Sequence, residues 1–158
     1  MGGIIPRFSG YACAVAHRVT TIDALGPGVF RKLRQELGVT AFGLNAIVLP
    51  PGTEWFNHFH HSQDELYFVH AGTAGFEVGG ESFELGPGGA VHVETTTPRR
   101  FWNAGDGELV LLAIGGHGGY VERDGEMVDP ADVERRRRFS AGEVDMIRRR
   151  DPEVGSGS

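Results

Sequence analysis

The sequence predicts an all-β fold, a small antiparallel sandwich or barrel with short helices at its two ends. Three observations predict it. Twenty-five of the 158 residues are glycine, which suits many turns and short strands better than a helical bundle. From residue 41 onward, short β-rich segments recur at intervals of roughly 8–12 residues, and Gly, Pro, Asp or Asn clusters separate most of them. Helical spacing and helix-capping signals fall before and after this region.

The elements follow in order. Residues 11–19 are apolar with interspersed polar positions and read as an early strand. Residues 30–37, FRKLRQEL, have helical spacing, and Gly38 stands where such a helix would end. The β-rich segments AFGLNAIVL, WFNHFH, ELYFVH, TAGFEV, ESFEL, AVHV, RFWN and ELVLLAI then succeed one another. Between two of them, Val78-Gly79-Gly80-Glu81 is a two-residue hairpin signal, because paired glycines accept positive φ. Near the C-terminus, Asp129 reads as an N-cap with Pro130 at the first helical position. Ser140 and Glu143 have the spacing of a capping box for a second helix. The basic runs at 135–138 and 148–150 are flanked by Asp132, Glu134, Glu143, Asp145 and Asp151, so they read as a solvated helical face or a subunit contact.

This division places a strand and helix in residues 1–40, a barrel core in 41–115, a helical extension in 116–154 and a flexible GSGS tail in 155–158. Composition narrows the function classes. The formal net charge of −6 argues against nucleic acid as a partner. No apolar run approaches the ~20 residues of a membrane span, and no basic stretch followed by an apolar run opens the sequence. Cys13 is the only cysteine, so no intramolecular disulfide is available and a reducing cytoplasm is the expected setting. Lys32 is the sole lysine and sits in a polar, helix-like stretch, which speaks against Schiff-base chemistry.

The chemistry concentrates between Gly52 and Gly72. His58 and His60 flank one residue, so on a strand both imidazoles point to one face. Glu65 follows five positions after His60, where the next strand can bring its carboxylate onto the same site. Two histidines and a carboxylate are the raw material of a three-ligand metal face. Without metal, the same residues would form a hydrogen-bonded polar cluster.

Gly52, His58, His60, Glu65 and Gly72 satisfy every element of G-x5-H-x-H-x3-4-E-x6-G, and the chain resembles the cupin superfamily on this first motif. The second cupin motif, G-x5-P-x-G-x2-H-x3-N, falls at residues 88–103, where the closing Asn103 is present. There Arg99 replaces the expected His, Glu94 the Pro and Thr96 the second Gly. The resemblance covers residues 41–115 and implies a double-stranded β-helix, or jelly-roll, barrel, commonly dimeric, with a metal or small-molecule site at its open mouth. Cupins include dioxygenases, isomerases, lyases, cyclases, sugar-binding regulators and storage proteins, so the fold alone does not select a function.

Strand alternation assigns the cavity. With His58 and His60 inward, Glu54 and Phe56 follow, while Trp55, Asn57 and Phe59 face away. Glu65 carries Tyr67 and Val69 inward, and Arg99, Phe101 and Asn103 share a face on the last motif strand. Phe56, Val69, Phe101 and Asn103 thus complete the expected pocket. Tyr67 reads as pocket wall, or as a hydrogen-bond donor to a ligand or to Glu65, and as an aid to proton transfer. His92 is a candidate fourth ligand if its register turns it inward. His61 has the wrong parity and belongs to the turn HSQD, and His17, His70 and His117 lack ligand spacing.

Arg99 is the discordant member. A guanidinium has no free lone pair and cannot replace a histidine ligand. A divalent ion and Arg99 at ~5 Å would repel by roughly 6–7 kcal/mol at an effective dielectric of ~20, and Glu65 would offset about half of that. Two arrangements are self-consistent. In one, His58, His60 and Glu65 hold Fe²⁺, Mn²⁺, Ni²⁺ or Zn²⁺, and an anionic substrate bridges the metal and Arg99. Iron would favour dioxygenase chemistry, and the other ions Lewis-acid isomerase, lyase or cyclase chemistry. In the other, Arg99 pairs with Glu65, no metal binds, and a non-catalytic barrel holds a small organic ligand. A structural domain assembled through its tail helices is a third reading. The expectation carried forward is a cytoplasmic, homodimeric, metal-dependent enzyme acting on a small anionic molecule, without nucleic-acid or membrane partners.

Overall fold

The computed structural model describes residues 17–143 and the backbone of 147–148. Cys13, most of the predicted 11–19 strand and the 155–158 tail lie outside these residues; the part of that strand that is described, 17–19, is not extended into a sheet. Among the described residues, a short 3-10 turn at Asp23–Leu25 precedes twelve strands and two α-helices. They are β1 (Phe30–Arg31), α1 (Leu33–Leu37), β2 (Gly43–Leu49), β3 (Thr53–Glu54), β4 (His58–His60), β5 (Asp64–Ala71), β6 (Ala74–Val78), β7 (Glu81–Leu85), β8 (Ala90–Val93), β9 (Arg99–Asn103), β10 (Leu109–Gly116), β11 (Gly125–Met127), α2 (Pro130–Ser140) and β12 (Ile147–Arg148).

Two antiparallel sheets face each other. One has the order β1-β2-β10-β5-β8. In the other, β9 is central: β6 lies along one edge with β7 beyond it, and β3 and β4 pair with the other edge, covered by β12 and β11. Leu49, Val69, Phe76, Leu109 and Leu111 fill the closed end of the space between the sheets and are essentially inaccessible. Such apolar burial is the main stabilising term of the fold. Both helices sit at the margins of the sheets.

The predicted β-rich segments all contribute strands, and the VGGE hairpin forms as expected. Val78 pairs with Glu81 across Gly79 (φ 57°) and Gly80 (φ 90°), the doubly positive geometry of a two-residue turn that follows strand twist. Three expectations need correction. The helix predicted over 30–37 begins only at Leu33, because Phe30 and Arg31 pair with Ile47 and Ala46 on β2. Phe30 is held there by stacking on Trp55 at 5.8 Å, a tertiary contact that outweighs local helix preference. Gly38 does end the helix, in left-handed conformation. Ser140 does not open a second helix: it closes α2, and Ile147–Arg148 pairs with β3 as strand β12. The barrel also recruits β1, β11 and β12 from outside 41–115. At α2 the expected start holds, with the Asp129 side chain accepting a hydrogen bond from the Ala131 amide.

Candidate metal centre

The open end of the barrel encloses a cavity of about 330 Å³. Its floor is formed by β4 and β5, which lie in opposite sheets. His58 and His60 point to one face of β4, and Glu65 enters from β5. One donor atom from each of the three residues lies within 4.8 Å of the others. His58 and His60 are buried, and the Glu65 side chain is 13% exposed. On β10, Gly115 stands opposite Glu65. A Cβ there would come within 2.8 Å of the Asp64 carbonyl and 3.0 Å of Glu65 Cγ, so only glycine leaves the carboxylate its place.

One oxygen, Glu65 Oε2, gathers the site. His60 Nε2 lies 3.1 Å from it, His58 Nε2 3.8 Å and Arg99 NH1 3.8 Å, and the Tyr67 hydroxyl donates to it. Burial pushes the Glu65 carboxyl up, but the neighbouring His58 and His60 rings outweigh this and hold it well below the usual carboxylate range. Burial, together with the Glu65 charge and hydrogen bond, drives the Tyr67 phenol well above its ordinary value, so Tyr67 is a permanent donor.

The far nitrogens of the histidines are also engaged. His58 Nδ1 lies 2.9 Å from the Phe56 carbonyl, which can only accept, so that nitrogen carries the proton. In the neutral ring Nε2 then presents a lone pair towards a carboxylate oxygen. Two electron-rich atoms facing each other need a cation or an additional proton between them, and the donor set therefore fits a divalent metal. His60 Nδ1 lies 3.4 Å from Asp124 Oδ2 and 3.2 Å from Gln63 Nε2. Asp124 is anchored by the Ser62 amide and hydroxyl and by the Gln63 amide. Burial raises its carboxyl, but the Ser62 and Gln63 donors and His60 bring it below its ordinary value.

Other predicted site residues are placed differently. Arg99 is fully buried and does not line the cavity: it stands across from His58 in the β4–β9 register, behind Glu65, and donates through NH2 to the Glu94 carbonyl at 2.8 Å. Its Nε and NH1 have no hydrogen-bond partner among the described residues. His92 is not a fourth ligand, because it is exposed on the outside of the barrel and its Nε2 contacts Asp64 Oδ2 at 3.1 Å. Tyr67 and Phe101 line the cavity, whereas Phe56 and Val69 are buried in the core behind it. Asn103 braces two turns, donating to the Leu49 and Gly107 carbonyls and accepting from the Gly105 amide. Strand alternation misassigned Phe56 because the chain leaves the sheet between Glu54 and His58. Parity resets there, and Trp55 turns into the cavity, stacked on Phe101 at 6.2 Å.

Residues outside the motifs complete the wall. Asn45, Gln63, Tyr120 and Asp124 line it, as does Arg136 from α2. No local spacing marks the first four. Arg136 carried a readable signal, since it lies three residues before Phe139, the one aromatic residue of its helix, and so shares that residue's face.

A barrel of two facing antiparallel sheets with a two-histidine, one-carboxylate cluster at its open end defines a cupin domain, and the cupin-domain family profile matches residues 46–115. The barrel thus has the cupin fold, and the family match lies within it. An uncharacterized protein of Methanocaldococcus jannaschii is 22% identical over 107 residues, covering 68% of this chain and 79% of that protein. Among solved structures, a cupin protein from Bacteroides fragilis superposes with a TM-score of 0.58 at 22% identity, over 68% of this chain and 89% of the other. A sugar phosphate isomerase of a cupin superfamily from Silicibacter pomeroyi superposes with a TM-score of 0.52 at 22% identity, over 64% and 70% of the two chains.

Proposed function

We propose that this chain is a metal-dependent cupin enzyme acting on a small anionic organic molecule, with His58, His60 and Glu65 holding the ion. The observation that carries the reading is the 2.9 Å contact of His58 Nδ1 with the Phe56 carbonyl, which assigns the ring proton to Nδ1 and leaves Nε2 facing Glu65. The ion, drawn from Fe²⁺, Mn²⁺, Ni²⁺ and Zn²⁺, supplies Lewis-acid polarisation or, for iron, redox chemistry. Tyr67 holds its proton at the oxygen next to Glu65 Oε2 and limits the carboxylate's rotation. Asp124 keeps the His60 ring in orientation from behind, as outer carboxylates do for ligating histidines. Arg99, buried behind Glu65, offsets that carboxylate's charge instead of meeting substrate. Phe30, Ile47, Trp55 and Phe101 form an apolar wall that packs the body of a ligand and limits water. The similarity to a sugar phosphate isomerase agrees with a small anion as substrate, at the level of fold.

Elemental analysis of protein purified without a nickel column tests this reading. Near-stoichiometric divalent metal in the wild type, lost in His58→Ala and in His60→Ala, is the expected result. A protein that carries none and takes up none on titration overturns it. That outcome would favour a non-catalytic binding cupin, a second reading supported by the 3.8 Å approach of Arg99 NH1 to Glu65 Oε2.

A further inference from the structure

Four consecutive arginines, Arg135 to Arg138, lie on α2, and they are not equivalent. Arg137 is exposed and paired with Glu134, with NH2 to Oε1 at 2.6 Å. Arg138 is half-exposed and lies 3.4 Å from Glu143. Arg136 alone of the four lines the cavity. It is partly withdrawn from water, its guanidinium carbon stands 5.4 Å from the Trp55 ring, and no carboxylate among the described residues forms an ion pair with it. Burial lowers its pKa, and the charge of Glu65 in the same cavity acts in the opposite direction. The helix is held over the mouth by Phe139, which packs edge-on against Trp55 at 6.0 Å and tilted against Phe56 at 6.3 Å.

We propose that Arg136 is the anion-recognition residue of the cavity and that its ligand is a small organic carboxylate with an apolar body. The inference rests on the reading of this cavity as a small-molecule site and transfers the anion-binding task from Arg99 to α2. A planar guanidinium offers two parallel donors to a carboxylate. The apolar wall of Ile47, Trp55 and Phe101 accounts for the rest of the ligand, and 330 Å³ accommodates a molecule of roughly the size of benzoate. A phosphate dianion would call for more than this one inward guanidinium, since the cavity's other arginine, Arg123, is exposed.

Isothermal titration of the full chain with benzoate, its neutral analogue benzamide and inorganic phosphate tests the proposal, with metal content measured on each sample. Benzoate is expected to bind the wild type more tightly than either benzamide or phosphate. Arg136→Gln should weaken benzoate by about tenfold or more while leaving benzamide unchanged. Arg136→Lys should recover only part of the loss, because it restores charge without the fork. Arg137→Gln, on the solvent side of the same helix, should bind as the wild type does. Benzoate affinity unchanged in Arg136→Gln, equal loss of benzamide, preference for phosphate, or no binding of benzoate to the wild type each overturns the proposal. Metal retained in Arg136→Gln keeps the metal-centre reading intact whichever way the titration falls.

Discussion

The floor and the cover of the cavity are built on different principles. The floor is carried by β4 and β5, adjacent in the chain and separated by a short turn, so the distances among His58, His60 and Glu65 are largely local. The cover is carried by α2 and the segment before β11, some sixty residues later; it lines the cavity with Tyr120, Arg123, Asp124 and Arg136 and packs on Trp55 through Phe139. The chemistry of the floor is therefore set by local spacing, while that of the cover depends on contacts between distant parts of the chain. Two arginines make the same point. Arg99 lies inside the barrel and is committed to the protein, and Arg136 lies at its mouth and is available to a ligand.

The comparison can be broken most severely in the core beneath the floor. Phe101 is fully buried and packs against Trp55, Tyr67 and Phe76, so Phe101→Ala should cost about 3–5 kcal/mol in urea unfolding. A loss below about 1 kcal/mol would mean that the floor does not depend on this core.

Asp124 belongs to the cover yet touches the floor. Asp124→Asn should weaken metal affinity by about 10–100-fold, measured by competition with a chelator, without removing any ligand. It should also act on stability with a defined sign. The Asp124 carboxyl lies below its ordinary 3.8 in the folded chain, so its contribution is fully present above that pH and is lost as pH falls through the folded value. The difference between wild type and Asp124→Asn in urea midpoint should shrink between pH 6 and pH 3. A difference that grows on acidification would reverse the assignment.

The smallest effect is expected at the anchor of α2. Phe139 is only partly buried, and Phe139→Ala should cost about 0.5–1.5 kcal/mol, with Arg136-dependent benzoate binding weakened in parallel. Unaltered benzoate affinity would show that α2 holds its position without this contact.

Much of the floor was legible in the sequence. The spacing of His58, His60 and Glu65, the paired glycines at Gly79 and Gly80 and the Asp129-Pro130 helix start all read correctly, because each depends on neighbours within a few residues. Alternation failed at Phe56 and Trp55, where the strand breaks and the period of two no longer holds. Arg99 and Asn103 were placed in the cavity by parity, which says which face a residue takes but not how deep it lies, nor which carbonyls will claim its donors. Phe30 and Arg31 were read as helical because local pattern contains nothing of the Ile47 and Ala46 backbone they join.

What the sequence by itself determined is a cupin barrel and a two-histidine, one-carboxylate face, since strand periodicity and short turns place those groups without help from distant parts of the chain. Tertiary structure alone decided that Arg99 backs Glu65, that Asp124 orients His60, and that one of four adjacent arginines enters the cavity. Those outcomes depend on how two sheets and a late helix close over one another, and contacts between residues tens of positions apart leave no period in the sequence to read.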